Sequence, residues 1–204
     1  MRRTRWKRFA AVLLPSLVAA TALVLSMAQG AFAASFFISG ERFKLSVDTL
    51  QAKGLSLYGM VDVTRRGKAV PVIVTGARNV TIDGLCQSVL IPIPVLGAFT
   101  LRLTGGDQGK PATATNAFLD TDLLAASSAT MNNVDIGIAA GSMTVGEVNS
   151  GDENSKFFAP NTIALQGTSA TLTNVRTTGV AATMGSITLP GMKASLQHGD
   201  HQCF

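Results

Sequence analysis

A six-residue pattern recurs along the chain, and it constrains the fold more than any other feature. Val80-Thr81-Ile82-Asp83-Gly84-Leu85 reads apolar-Thr-apolar-x-(Asn or Gly)-apolar. The pattern returns as Ala129-Thr130-Met131-Asn132-Asn133-Val134, as Ala170-Thr171-Leu172-Thr173-Asn174-Val175 and as Ile187-Thr188-Leu189-Pro190-Gly191-Met192. Alternation in an extended chain sends the two apolar residues to one face and the threonine to the other. Asn and Gly then supply the left-handed or tightly turned backbone that most L-residues avoid. Each copy therefore predicts a short strand ended by a bend. The copies begin at 80, 129, 170 and 187. Those intervals fit one or two coils of a solenoid-like stacked sheet at about 20 residues per coil. A twisted antiparallel sheet or sandwich satisfies the alternation equally well.

Alternation extends well beyond the repeats. Phe43, Leu45 and Val47 alternate with Lys44, Ser46 and Asp48, and Leu55, Leu57, Val61 and Val63 continue the pattern. Arg65-Arg66-Gly67-Lys68 is a solvated turn, followed by a strand through Val70 to Val74 whose Pro71 suggests an edge. Phe99, Leu101 and Leu103 form another strand, and Val134, Ile136 and Ile138 another. The Ala- and Leu-rich stretch 112–128 is the one candidate for a short helix, and 149–156 reads as a polar loop. The fold class expected is mainly β, with one β-rich domain over residues 34–204.

The net charge of +5 belongs to the start of the chain. Arg2, Arg3, Arg5, Lys7 and Arg8 leave 12 of the 17 basic residues against 12 acidic ones elsewhere. A nucleic-acid footprint is therefore absent. The basic start, the apolar run Ala10–Ala28 and the small-x-small string Ala31-Phe32-Ala33 make residues 1–33 an export signal, with cleavage after Ala33. An uncleaved membrane anchor is the alternative. Either way the body is extracytoplasmic, in the envelope or secreted. There the two cysteines, Cys86 and Cys203, form one disulfide by default.

Catalytic and metal chemistry leave few traces. No Gly-x-Ser-x-Gly elbow and no Ser-x-x-Lys string is present. The histidines, His198 and His201, lie together in the tail, where His198-x-x-His201 with Asp200 is a weak metal motif. Asp152-Glu153-Asn154 lacks the spaced oxygens of a calcium loop. No catalytic residue, metal ligand or cofactor is assigned. Apolar content of 47% exceeds what one small core needs. Ile91, Ile93, Val95, Leu96, Phe157 and Phe158 are thus candidates for an exposed contact surface. Pro92 and Pro94 confine the first four to an edge or an extended segment.

The segments Ala33-Ala34-Ser35-Phe36, Phe43-Lys44-Leu45-Ser46-Val47, Leu85-Cys86-Gln87-Ser88-Val89, Ile136-Gly137-Ile138 and Gln202-Cys203-Phe204 carry a resemblance. The chain resembles a family of exported actinobacterial proteins without an established function, often labelled cholesterol esterase. The resemblance implies the pairing of Cys86 with Cys203 and a connection to lipid. It brings no catalytic motif. Three readings follow: a non-enzymatic protein that binds lipid, a membrane surface or an envelope partner through apolar surface, a lipid esterase, and a structural surface protein.

Overall fold

The computed structural model describes residues 41–107 and 109–204. The expected leader, residues 1–33, lies outside the described residues. Ten antiparallel strands make one sheet: β1 (Phe43–Val63), β2 (Ala69–Asp83), β3 (Leu85–Ile93), β4 (Gly97–Gly105), β5 (Ala112–Ala125), β6 (Ser128–Asn132), β7 (Asp135–Ala139), β8 (Ile163–Thr183), β9 (Ser186–Thr188) and β10 (Lys193–His198). One edge of β1 bonds β2 and then β3, and the other bonds β8. β2 bonds β5, and β5 bonds β8 through Phe118–Ala125. These four long strands thus close a ring, so their inner side chains are sheltered without a second layer. β4 and β10 extend outward from β3 as a wing. Pro71 faces only β1, and Pro92 only β4, so neither missing N–H breaks a ladder on a second side.

The repeat is the lattice of this sheet. In all four copies the Asn or Gly is left-handed, with φ of +67° at Gly84, +48° at Asn133 and Asn174, and +65° at Gly191. Two further copies emerge from the pairing. Leu50-Gln51-Ala52-Lys53-Gly54-Leu55 has Gln in place of Thr, and Ala112-Thr113-Ala114-Thr115-Asn116-Ala117 has Ala at each apolar position; Gly54 and Asn116 are also left-handed. All six lie side by side. Their second residues form one cross-strand row, Thr130–Thr171–Gln51–Thr81–Thr113–Thr188. The first residue of each copy faces the third of its neighbour, as Leu50 faces Ile82 and Leu172. The row is outside, and the flanking residues Ala52, Val80, Ile82, Ala112, Ala114 and Ala170 are buried inside with Val47, Leu55 and Val175. The pairing is antiparallel throughout, which decides for the twisted sheet over the solenoid-like stack.

A second core cluster fills the other end of the ring with Tyr58, Val72, Val74, Phe118, Ala164 and Val180. Residues 140–162 cover it, containing a 3-10 turn (Ala140–Ser142) and one short helix, α1 (Ser150–Glu153). The expected polar loop therefore holds the helix, whose end is capped by the Asn149 side chain accepting from the Gly151 N–H. The stretch 112–128, expected as a helix, is instead mostly β5. Alanine's helix propensity gives way because β5 needs small inward residues where it meets β2.

Candidate functional site: an apolar wing and a buried carboxylate cluster

The candidate apolar residues fall at opposite ends of β1. Ile91 and Ile93 end β3, and Val95 and Leu96 form the turn into β4. Val95 is completely exposed and Leu96 is 62% exposed. Ile91 is exposed and Ile93 half-buried. Ile91 pairs with Phe99 and Leu101 with Val89 and Leu196, so one face of the wing is apolar. No charged residue occurs from Gly84 to Leu101. Val95 holds φ +72°, a conformation costly for a β-branched residue. Phe157 and Phe158 lie instead on the covering segment. Phe157 is exposed beneath the Lys156 ammonium, 5.0 Å from its ring centre. Phe158 is half-buried and packs edge-on against Tyr58 at 5.9 Å, which places it in the second core cluster.

The wing's opposite face is polar and lies beneath the chain's last residues. Cys86 and Cys203 are joined as a disulfide. The Cys203 N–H donates to Ser88 Oγ, the His201 N–H donates to Thr100 Oγ1, and that hydroxyl donates to the Gly199 carbonyl. Ser88 and Thr100 are buried as a result. Lys44 Nζ donates to Phe204 O, and Lys44 and Arg176 flank the Phe204 ring. The imidazole of His198 is bonded to the Leu96 carbonyl and that of His201 to the His198 carbonyl. Among the described residues no His, Cys, Asp and Glu group has the arrangement of a metal site.

A third feature has no signature in the spacing of the residues. Asp62 and Tyr58 on β1, Asp120 on β5 and Asp152 on α1 converge where residues 140–162 cover the ring. Tyr58, the only tyrosine, donates to Asp152 Oδ2 at 2.6 Å and accepts from the Asn149 N–H at 3.0 Å. The Asp62 and Asp120 carboxyls adjoin, an arrangement that favours a proton on one of them. No N–H or hydroxyl reaches Asp62 Oδ2 or Asp120 Oδ1, both of which are buried. Burial, then the charges of Asp62 and Asp152, push Asp120 up to about 8. Burial, then the charge of Asp152, push Asp62 up to about 6. Burial also raises Asp152, against the pull of the Tyr58 hydroxyl, and raises Tyr58 itself. These carboxyls hold protons that an unfolded chain would release. Their contribution to stability is full below the ordinary carboxylate range and is lost as pH rises through about 6 and then about 8.

Two clefts mark the surface. One of about 610 Å³ lies among Ser46, Asp48, Ser127, Asn174, Arg176 and Cys203. Another of about 310 Å³ lies between Arg78 and the segment Ala140–Glu153. Both are lined largely by polar groups, and neither is lined by Ile91, Ile93, Val95 or Leu96 of the wing's tip. Sequence spacing identified that tip because its apolar residues are contiguous. It missed the carboxylates because three separate elements supply them.

No curated protein and no solved structure matches the chain. A family model does match it, over residues 39–204, which takes in every strand, the disulfide and the carboxylate cluster. The chain belongs to DUF6230, a family of unknown function.

Proposed function

We propose that this is an exported, non-enzymatic protein of the cell envelope that rests the β3–β4 hairpin tip on a lipid surface. The observation that carries the reading is the exposure of Val95 and Leu96 at the end of a charge-free hairpin. An exposed hairpin tip suits insertion among lipid chains, whereas the enclosed binding of one lipid requires an apolar groove. Burying two such side chains contributes about 1.5–3 kcal/mol each. The strained Val95 backbone keeps that side chain pointing outward at an energetic cost, as expected of a position held for contact. The bonding of both tail imidazoles to backbone carbonyls supports a binding role over the esterase that the sequence resemblance suggests.

Flotation with phosphatidylethanolamine–phosphatidylglycerol vesicles tests the reading on mature, disulfide-intact protein. The double variant Val95→Asp/Leu96→Asp should lower the bound fraction at least tenfold. Ile136→Asp, which alters an exposed apolar residue on β7, should leave binding unchanged. Equal binding by wild type and the tip variant would sink the proposal, as would release of product from cholesteryl or p-nitrophenyl esters.

A further inference from the structure

We propose that residues 140–162 form a pH-gated lid, shut while one of the adjoining buried carboxyls Asp62 and Asp120 is protonated and released from the ring when that proton is lost. The lid is attached by few bonds. Ser56 Oγ donates to the Glu147 carbonyl at 2.7 Å, and the Thr144 and Val145 N–H groups donate to Gln166 Oε1 at 2.8 and 2.9 Å. Arg78 on β2 pairs with Glu147 at 2.7 Å, and Tyr58 holds Asp152 with its proton and the Asn149 N–H with its oxygen. Met143, Val148 and Phe158 from the lid complete the apolar packing around Tyr58.

The charge arrangement makes this closure conditional. Asp62, Asp120 and Asp152 face one another, and only Asp152 comes from the lid. The elements packed around them offer no countercharge: β2 presents Val72 and Val74, and β8 presents Ala164 and Val180. The other charged lid residues point elsewhere, with Glu147 paired to Arg78, Glu153 exposed and Lys156 over Phe157. Removing that proton therefore sets Asp62 and Asp120 at like charge beside Asp152, with no N–H or hydroxyl reaching Asp62 Oδ2 or Asp120 Oδ1 to offset it. Moving the lid is the way to bring water to all three. The ring beneath is held by β-ladders on every side and need not open. Burial places the transition near and above neutral pH, with Asp120 at about 8.

Hydrogen–deuterium exchange at pH 5, 7 and 9.5, corrected for intrinsic rates, tests the gate in the mature protein. Protection of the Thr144, Val145, Asn149 and Asp152 amides should fall at least tenfold from pH 7 to 9.5 while β1 and β8 amides keep theirs. Asp120→Asn, and independently Asp62→Asn, should keep the lid protected at pH 9.5. As a second readout, the absorbance of Tyr58 should show phenolate forming in wild type at a lower pH than in either variant. Lid protection unchanged across this range would overturn the proposal. So would loss of β1 protection in parallel with the lid, or a wild-type pH response in both Asn variants.

Discussion

Removing the disulfide by Cys86→Ala/Cys203→Ala should destabilise the protein more than any single change on its surface. The bridge spans 117 residues, from the start of β3 to the tail. In the chain-entropy treatment, closing a loop of that length removes about 4.9 kcal/mol of freedom from the unfolded state. That is a large part of a typical total of about 5–15 kcal/mol. The native state loses something too, because without the bridge the tail can lift from Ser88 and Thr100. Water then replaces the tail's bonds to those hydroxyls, so this second effect is small beside the first. Urea unfolding followed by circular dichroism is the assay. With a slope of about 2 kcal/mol/M, the midpoint should fall by roughly 2 M. A fall corresponding to less than about 1 kcal/mol would refute the reasoning, since it would mean that the unfolded chain gains little from release of the tether.

Stability of the wild type should decline from pH 5 to 9, and Asp120→Asn should remove most of that decline. A displacement from 3.8 to about 8 sets a ceiling of about 6 kcal/mol, which lid opening will reduce; parallel pH curves for the two proteins would contradict the assignment. Gly84→Ala should cost at least about 2 kcal/mol in thermal unfolding, from the left-handed backbone and a Cβ placed on the Asp48 carboxylate. Asn174→Gly keeps the same bend and should lie within about 0.5 kcal/mol of wild type; equal effects for the two changes would remove the left-handed residue from the folding code. Phe158→Ala should cost about 2–3 kcal/mol and Phe157→Ala under about 1, because only the former packs against Tyr58; the reverse order would return Phe158 to the surface.

How far the sequence could be read depends on the range over which each signal acts. A left-handed residue after an alternating pair is a local instruction, so Gly84, Asn133, Asn174 and Gly191 could be read without neighbours. The copy at Leu50–Leu55 escaped because Gln51 replaces the threonine. That at Ala112–Ala117 escaped because alanine favours a helix until flanking strands confine it. The carboxylate cluster could not be read at all. Asp62, Asp120 and Asp152 obey no common spacing, and they meet only because β5 closes the ring against β8 while α1 is laid over it.

Strand direction failed to show for a different reason, one rooted in the symmetry of the motif. Apolar-Thr-apolar reads the same forwards and backwards, so a neighbour running either way offers the same apolar face and the same outward hydroxyl. What breaks the tie is the left-handed residue that follows. In a parallel stack every such bend would lie in one row and turn the strands together. In the antiparallel row the bends alternate between two sides of the threonine line, as Gly84 lies across from Asp48 and Gly54 across from Arg78. Both of these bends are thus covered by a side chain from the adjoining strand. The sheet curls from both sides of the row, which helps four strands to close a ring around cores of mostly small and medium-sized side chains. The same closure leaves β3, β4 and β10 outside as a wing, so the apolar tip owes its exposure to the curl of the ring.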